Sequence, residues 1–127
     1  MKAMSYRDLE VFQLAMKLAA EIHQMTMQLP KFELFEEGGQ IRRSSKSVVH
    51  HIVEGFGRRK YRNDFLKYIT VAIAECDETQ VAIELLYRTE SLKDQRAYEY
   101  FKGEYNKLAR KLNRFHSSIE MQHKSPK

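Results

Sequence analysis

Seven cations are concentrated in a short stretch of this chain. Arg42, Arg43 and Lys46 are followed by Arg58-Arg59-Lys60-Tyr61-Arg62, and residues 39–62 contain one acid, Glu54. Cations held this closely raise a positive potential that attracts a polyanion and releases its counterions on binding. Tyr61, set among them, offers a ring on which an unpaired base could stack. Lys107, Arg110, Lys111 and Arg114 lie within two turns of one another and could extend the surface. The competing reading is a solvated face that balances the acids of residues 63–92 (Glu75, Asp77, Glu78, Glu84), across a subunit contact or an acidic partner. No zinc-finger spacing, RRM signature or KH loop is visible, so any nucleic-acid binding is expected to be weakly sequence-specific and salt-sensitive.

Catalytic chemistry has little to stand on. A di-iron bundle needs two Glu-x-x-His motifs and two further carboxylates; one such spacing occurs, Glu120-Met121-Gln122-His123. His50 and His51 are adjacent, which a helix turns about 100° apart, too far to chelate one ion from one face. His50 and Glu54 stand at i,i+4 and suit a surface pair better than a ligand set. Cys76 lies on an apolar stripe with no cation beside it, the setting of a small hydrophobe rather than a nucleophile. There is no Walker loop, dinucleotide fingerprint or nucleophile elbow. The expectation is a protein that is no enzyme and needs no cofactor and no metal.

The elements that must position these residues are helices. In 127 residues there are two prolines and five glycines, with 43 % apolar and 31 % charged residues and a formal charge of +5. That composition excludes a disordered polar tail, a collagen repeat and a disulfide-stapled miniprotein, and it favours long helices over many short strands. Tyr98, Phe101, Tyr105, Leu108, Leu112, Phe115 and Ile119 alternate steps of three and four, as do Phe65, Ile69, Ala72, Cys76, Thr79, Ile83 and Leu86. Ile41, Ser45, Val48 and Ile52 form a shorter stripe. The first segment carries two stripes, Leu9/Phe12/Met16/Ala19 and Val11/Ala15/Leu18/Ile22/Met25/Leu29, read as a wide buried face or as a subunit interface.

These patterns predict one domain over 1–127, with helices at about 6–29, 39–57, 63–91 and 94–121 and a disordered tail at 122–127. Pro30 is expected to end the first helix, Gly57 to close the second in the left-handed conformation, and Asn63 and Asp94 to cap the third and fourth. Short turns between long helices imply an all-α, antiparallel up-down-up-down four-helix bundle. A single cysteine, no apolar signal segment and no run near the ~20 residues of a membrane span suggest a cytoplasmic protein that meets no membrane.

The middle of the sequence also resembles a known family. Gln40-Ile41-Arg42-Arg43-Ser44-Ser45-Lys46-Ser47-Val48, then Ile52-Val53-Glu54-Gly55-Phe56-Gly57-Arg58, is similar to the four-helix-bundle proteins encoded in intervening sequences of bacterial large-subunit ribosomal RNA genes. Cys76-Asp77-Glu78-Thr79 with Leu85-Leu86-Tyr87, the opening Tyr6–Phe12 and the Leu29–Glu33 turn match the same pattern, so the likeness covers roughly residues 6–90. His51, Val49 and Ala74-Glu75 depart from it, standing where the family usually has Asn, often Pro, and a small Gly-Ser pair. The resemblance implies a homopentamer without established enzymatic activity. It also implies kinship with the basic accessory proteins of diversity-generating retroelements, which bind a reverse transcriptase and nucleic acid. Five copies would multiply a modest patch by multivalency. The expectation is a non-catalytic homo-oligomeric scaffold binding RNA or DNA; the alternative is a protein-binding adaptor.

Overall fold

The computed structural model describes residue 3 and residues 5–122. Four helices follow in order, α1 (Glu10–Thr26), α2 (Glu37–Gly57), α3 (Arg62–Arg88) and α4 (Gln95–Gln122), with no strand among the described residues. Each helix packs on its chain neighbours and α4 returns to α1, so α2 and α4 stand diagonally across a four-helix bundle. The proposed tail lies outside the described residues apart from Gln122, which is helical.

The stripes read from the sequence are the faces that meet. Every member of the α3 stripe is buried, and on α4 Tyr105, Leu108 and Leu112 are fully enclosed. Both α1 stripes turn inward within the single chain, through Val11, Phe12, Ala15, Leu18, Ala19 and Ile22; Met16 departs from its stripe and stays exposed. One polar contact crosses the α2–α3 seam, where the buried Ser44 and Thr79 hydroxyls hydrogen-bond. A second, smaller cluster of Phe56, Phe65, Ile69 and Ile119 closes one end, with Ala3, Tyr6 and Leu9 packed on it.

Several boundaries differ from expectation for local reasons. The first helix starts at Glu10 rather than residue 6, because Leu9 is extended (φ −76°, ψ 128°) and separates off a 3-10 turn at Tyr6–Asp8. That turn closes on itself: Ser5 Oγ accepts from the Arg7 N–H, and the Asp8 carboxylate accepts from the Ser5 N–H. The helix then ends at Thr26, before Pro30. Pro30 instead opens a second 3-10 turn at Lys31–Leu34, its carbonyl accepting from the Glu33 N–H.

Glu33, only 3 % exposed, holds the start of α2. Its Oε1 accepts from the Glu37 N–H at 3.0 Å, placing a carboxylate at the positive helix terminus, and its Oε2 accepts from the Ser91 hydroxyl. The helix therefore begins two residues earlier than expected. Gly38 falls inside its first turn because the backbone passes so close: a Cβ there would lie 2.3 Å from the Glu33 carbonyl oxygen.

Gly57 is not left-handed; no glycine has positive φ, and Arg58 (φ −105°, ψ 16°) closes α2 by donating its N–H to the Gly55 carbonyl. Nor does Asn63 cap α3. It sits within the first turn, while extended Tyr61 occupies the cap position without a side-chain bond. Asp94 does cap α4, its Oδ1 accepting from the Arg96 and Ala97 N–H groups at 2.9 and 3.2 Å. α3 stops at Arg88, three residues short of expectation, because Glu90 takes φ 65° and turns the chain.

Candidate polyanion-binding surface

The outward side of α2 carries Gln40, Arg43, Lys46, His50 and Glu54, all exposed. At ~1.5 Å rise per residue the cations run about 18 Å from Lys46 to Arg58, where the exit turn adds Arg59 and Lys60. Arg43 receives help in positioning from Gln40, whose Oε1 accepts from its guanidinium at 2.8 Å. Among the described residues Arg43, Lys46 and Lys60 pair with no carboxylate. Lys60 lies over the Tyr61 ring at 5.6 Å, and Tyr61 is about half exposed.

The other members are held more tightly. Arg58 donates to Glu54 at 2.7 Å and lies 3.6 Å from Asp64, yet 47 % of its side chain remains in solvent. The Glu54 carboxylate, by accepting that bond, holds the guanidinium above its ordinary pKa. Glu54 is thus taken by Arg58, four residues on, and not by His50. Arg59 packs over the Phe56 ring at 4.0 Å and donates to the Phe56 carbonyl. Arg62, partly buried, donates to the Glu120 carbonyl at 3.1 Å.

Arg42, counted among the candidate cations, is less exposed than its neighbours Arg43 and Lys46. It is partly buried and donates to the Leu34 carbonyl at 2.6 Å, tying the 3-10 turn to α2. Its Nη1 is buried without a partner, a desolvation cost set against the Leu34 bond that holds the residue in place. The α4 cations do not extend the surface either, because α4 is diagonal to α2. Lys111 pairs with Glu10 of α1 at 2.7 Å, and Lys107 with Glu104.

Beside the stripe, His51 and Tyr68 stack at 6.3 Å, and Arg58 and Lys67 lie 5.2 and 5.7 Å from the Tyr68 ring. His51 Nδ1 also approaches the Ser47 carbonyl at 2.8 Å. Glu75, across the seam, has its carboxyl raised by burial and by Glu78, with His51 pulling the other way. Two of the departures from the family pattern, His51 and Glu75, are therefore electrostatic neighbours.

Burial pushes the Cys76 thiol up to about 12. Among the described residues no three His, Cys, Asp or Glu side chains are placed to hold a metal ion. His123 of the Glu-x-x-His spacing lies outside those residues. No helix is long and apolar enough to cross a membrane among them.

Sequence reasoning missed two features. Glu33 was noted only as the last residue of the Leu29–Glu33 turn, and its burial and the bonds it accepts from the Glu37 N–H and the Ser91 hydroxyl were not foreseen. An apolar group on the other side of the α2–α3 seam was also missed: Phe32 (57 % exposed), Phe35 (90 %), Val81 (56 %) and Leu85 (43 %). The available signal was that Val81 and Leu85, an i,i+4 pair, fall off the buried α3 stripe.

Comparison with known proteins agrees with this architecture. No curated protein matches the chain. A solved structure, described as a protein of unknown function from the S23 ribosomal protein family of Bacteroides thetaiotaomicron VPI-5482, superposes with a TM-score of 0.74 at 26 % identity. The match covers 84 % of this chain and 95 % of that one. A family model described as 23S rRNA-intervening sequence protein matches residues 7–114. With that match running from the first 3-10 turn deep into α4, the chain belongs to the 23S rRNA-intervening sequence protein family.

Proposed function

We propose that this chain is a non-catalytic, homo-oligomeric scaffold that binds nucleic acid weakly and without strong sequence specificity, RNA somewhat in preference to DNA. The observation that carries the reading is the exposure of Arg43, Lys46, Arg58, Arg59 and Lys60 along α2 and its exit turn. Among the described residues Arg43, Lys46 and Lys60 pair with no carboxylate, and the half-solvated pairs that Arg58 makes with Glu54 and Asp64 are of a kind that exchanges readily for phosphate. Arg42 contributes by fixing the turn, and Arg62 by fixing the start of α3. The family resemblance supports a pentamer, in which repeated weak phosphate contacts add up.

Gel-shift titration against unrelated RNA and duplex DNA tests this, with binding expected at low salt and lost as salt rises. The Arg58→Ala/Arg59→Ala/Lys60→Ala variant should bind more weakly still. Absence of any shift at low salt with assembled protein overturns the reading. Light scattering on a sizing column should give several multiples of 15.1 kDa; a clean monomer contradicts the oligomer.

A second reading is a protein-binding adaptor whose basic stripe meets an acidic partner. Its support is that Arg58 already engages two carboxylates, Glu54 and Asp64.

A further inference from the structure

The acidic side of the molecule has its own geometry. Phe32 and Leu85 face a shallow trough of about 490 Å³ that also takes in Glu36 and Glu37. A second hollow of about 310 Å³ shares Glu37 and Gln40 with it and continues along α3 past Val81, Asp77 and Glu78. Val81 and Leu85 stand one helical turn apart, so together with Phe32 they form an apolar floor at the spacing an opposing helix presents. Phe35, almost wholly exposed, stands three residues beyond Phe32.

We propose that this acid-rimmed apolar trough between α2 and α3 docks an amphipathic helical segment of another protein, apolar on one face and flanked by Lys and Arg. Charge complementarity argues for the basic flanks. Glu36, Glu37, Asp77 and Glu78 line the two hollows, against Arg43. Covering these carboxylates with an apolar surface would strand charges away from water, whereas a cation on the partner compensates them. Burial and the nearby Glu33 already raise the Glu37 carboxyl, and a cation on the partner opposes both effects.

A second copy of this chain is the poorer occupant. The cations of its α2 run beside Gln40, His50 and Glu54 with no exposed large apolar side chain among them until Tyr61, and on α1 Lys17, beside the exposed Met16, is already engaged by Tyr100 at 3.0 Å and Glu21 at 3.9 Å. The α2 stripe offers charge to the rim and nothing to the floor.

The probe is a labelled peptide of about 18 residues built from Leu and Lys at amphipathic helical spacing. A Leu/Glu peptide of the same pattern is the control, and binding is read by fluorescence anisotropy. The intact protein should bind the Leu/Lys peptide and not the Leu/Glu one. Phe32→Asp/Leu85→Asp should weaken binding about tenfold or more, and Asp77→Lys/Glu78→Lys should shift preference toward the Leu/Glu peptide. All four positions are solvent-exposed, and circular dichroism checks that each variant is helical. Equal affinity in the intact protein and both variants overturns the proposal. So does sedimentation in which Phe32→Asp/Leu85→Asp converts an oligomer to a monomer, since a second copy then fills the trough.

Discussion

The Ser44 and Thr79 hydroxyls lie 2.8 Å apart in the dry seam between α2 and α3, each belonging to a different one of the two motifs that carry the family resemblance. Thr79 Oγ1 gives its one proton to the Glu75 carbonyl at 2.9 Å, so Ser44 is the donor between the two hydroxyls and only lies near the Ile41 carbonyl, at 3.3 Å. Replacing one partner leaves the other desolvated; replacing both removes the polar pair altogether. Thr79→Val is therefore expected to cost about 1–2 kcal/mol in urea unfolding, and Ser44→Ala/Thr79→Val less than the two single changes combined. Strict additivity would show that the two hydroxyls do not act together.

Gly38 and Gly103 should respond in opposite directions to the same change. A Cβ on Gly38 meets the Glu33 backbone, so Gly38→Ala must push the 3-10 turn away from α2 and break the Glu33 contacts. A loss of about 2 kcal/mol or more is expected. Nothing lies within 4 Å of a Cβ on Gly103, an exposed position inside α4, and Gly103→Ala should gain about 0.5–1 kcal/mol from helix propensity alone. Thermal melts of the two variants check both signs.

The contrast marks where sequence stops being informative. The stripes of α3 and α4 were legible because a repeated step of three and four leaves one face to bury, and Asp94 was legible because a cap acts within three residues. The start of α2 was set two residues late because the place of Gly38 depends on what approaches from outside the helix, the Glu33 backbone, and Gly57 was misread because the turn is closed by Arg58, not by a left-handed glycine. The same limit applies to the basic surface. Its composition is plain in the sequence, but Arg42 is drawn inward by the Leu34 carbonyl, a group eight residues away that no wheel places beside it.

On the proposed polyanion reading, Lys46 and Arg42 separate binding from folding. Lys46→Ala should leave the melting temperature almost unchanged, weaken RNA binding and lower the salt slope by about one. Arg42→Ala should lower the melting temperature, since it frees the Leu34 carbonyl and loosens the turn. Filter binding across a salt series, paired with melts, distinguishes them.

Cys76 should behave as an inert core residue. Its thiol ionises only near 12 because burial penalises the thiolate, so iodoacetamide at pH 8 should label native protein very slowly and unfolded protein readily. Rapid native labelling would mean that the α3–α4 seam opens far more often than its packing suggests.

Glu37 and Glu75 both favour the protonated form in the fold, chiefly through burial, with Glu33 and Glu78 respectively adding to it. Their folded pKa values lie above the ordinary 4.5, so the stability they contribute is complete below that pH. It is lost as pH rises through the raised values. Glu75→Gln should accordingly raise the melting temperature at pH 7 and not at pH 4. Because the side chain is only partly buried, the gain is expected to stay within about 0.5 kcal/mol.

The helices are unequal, 17 residues in α1 against 28 in α4, a shortfall of roughly 16 Å at the usual rise. The gap falls where Phe56, Phe65 and Ile119 gather, and Ala3 and Tyr6 occupy it, Tyr6 meeting Phe12 edge-on at 4.9 Å. The leading arm is thus a stopper in the open mouth of the barrel of helices. Trimming the chain ahead of Glu10 uncorks that mouth, and the slack is felt first by Phe56 and by the arginine resting on its ring.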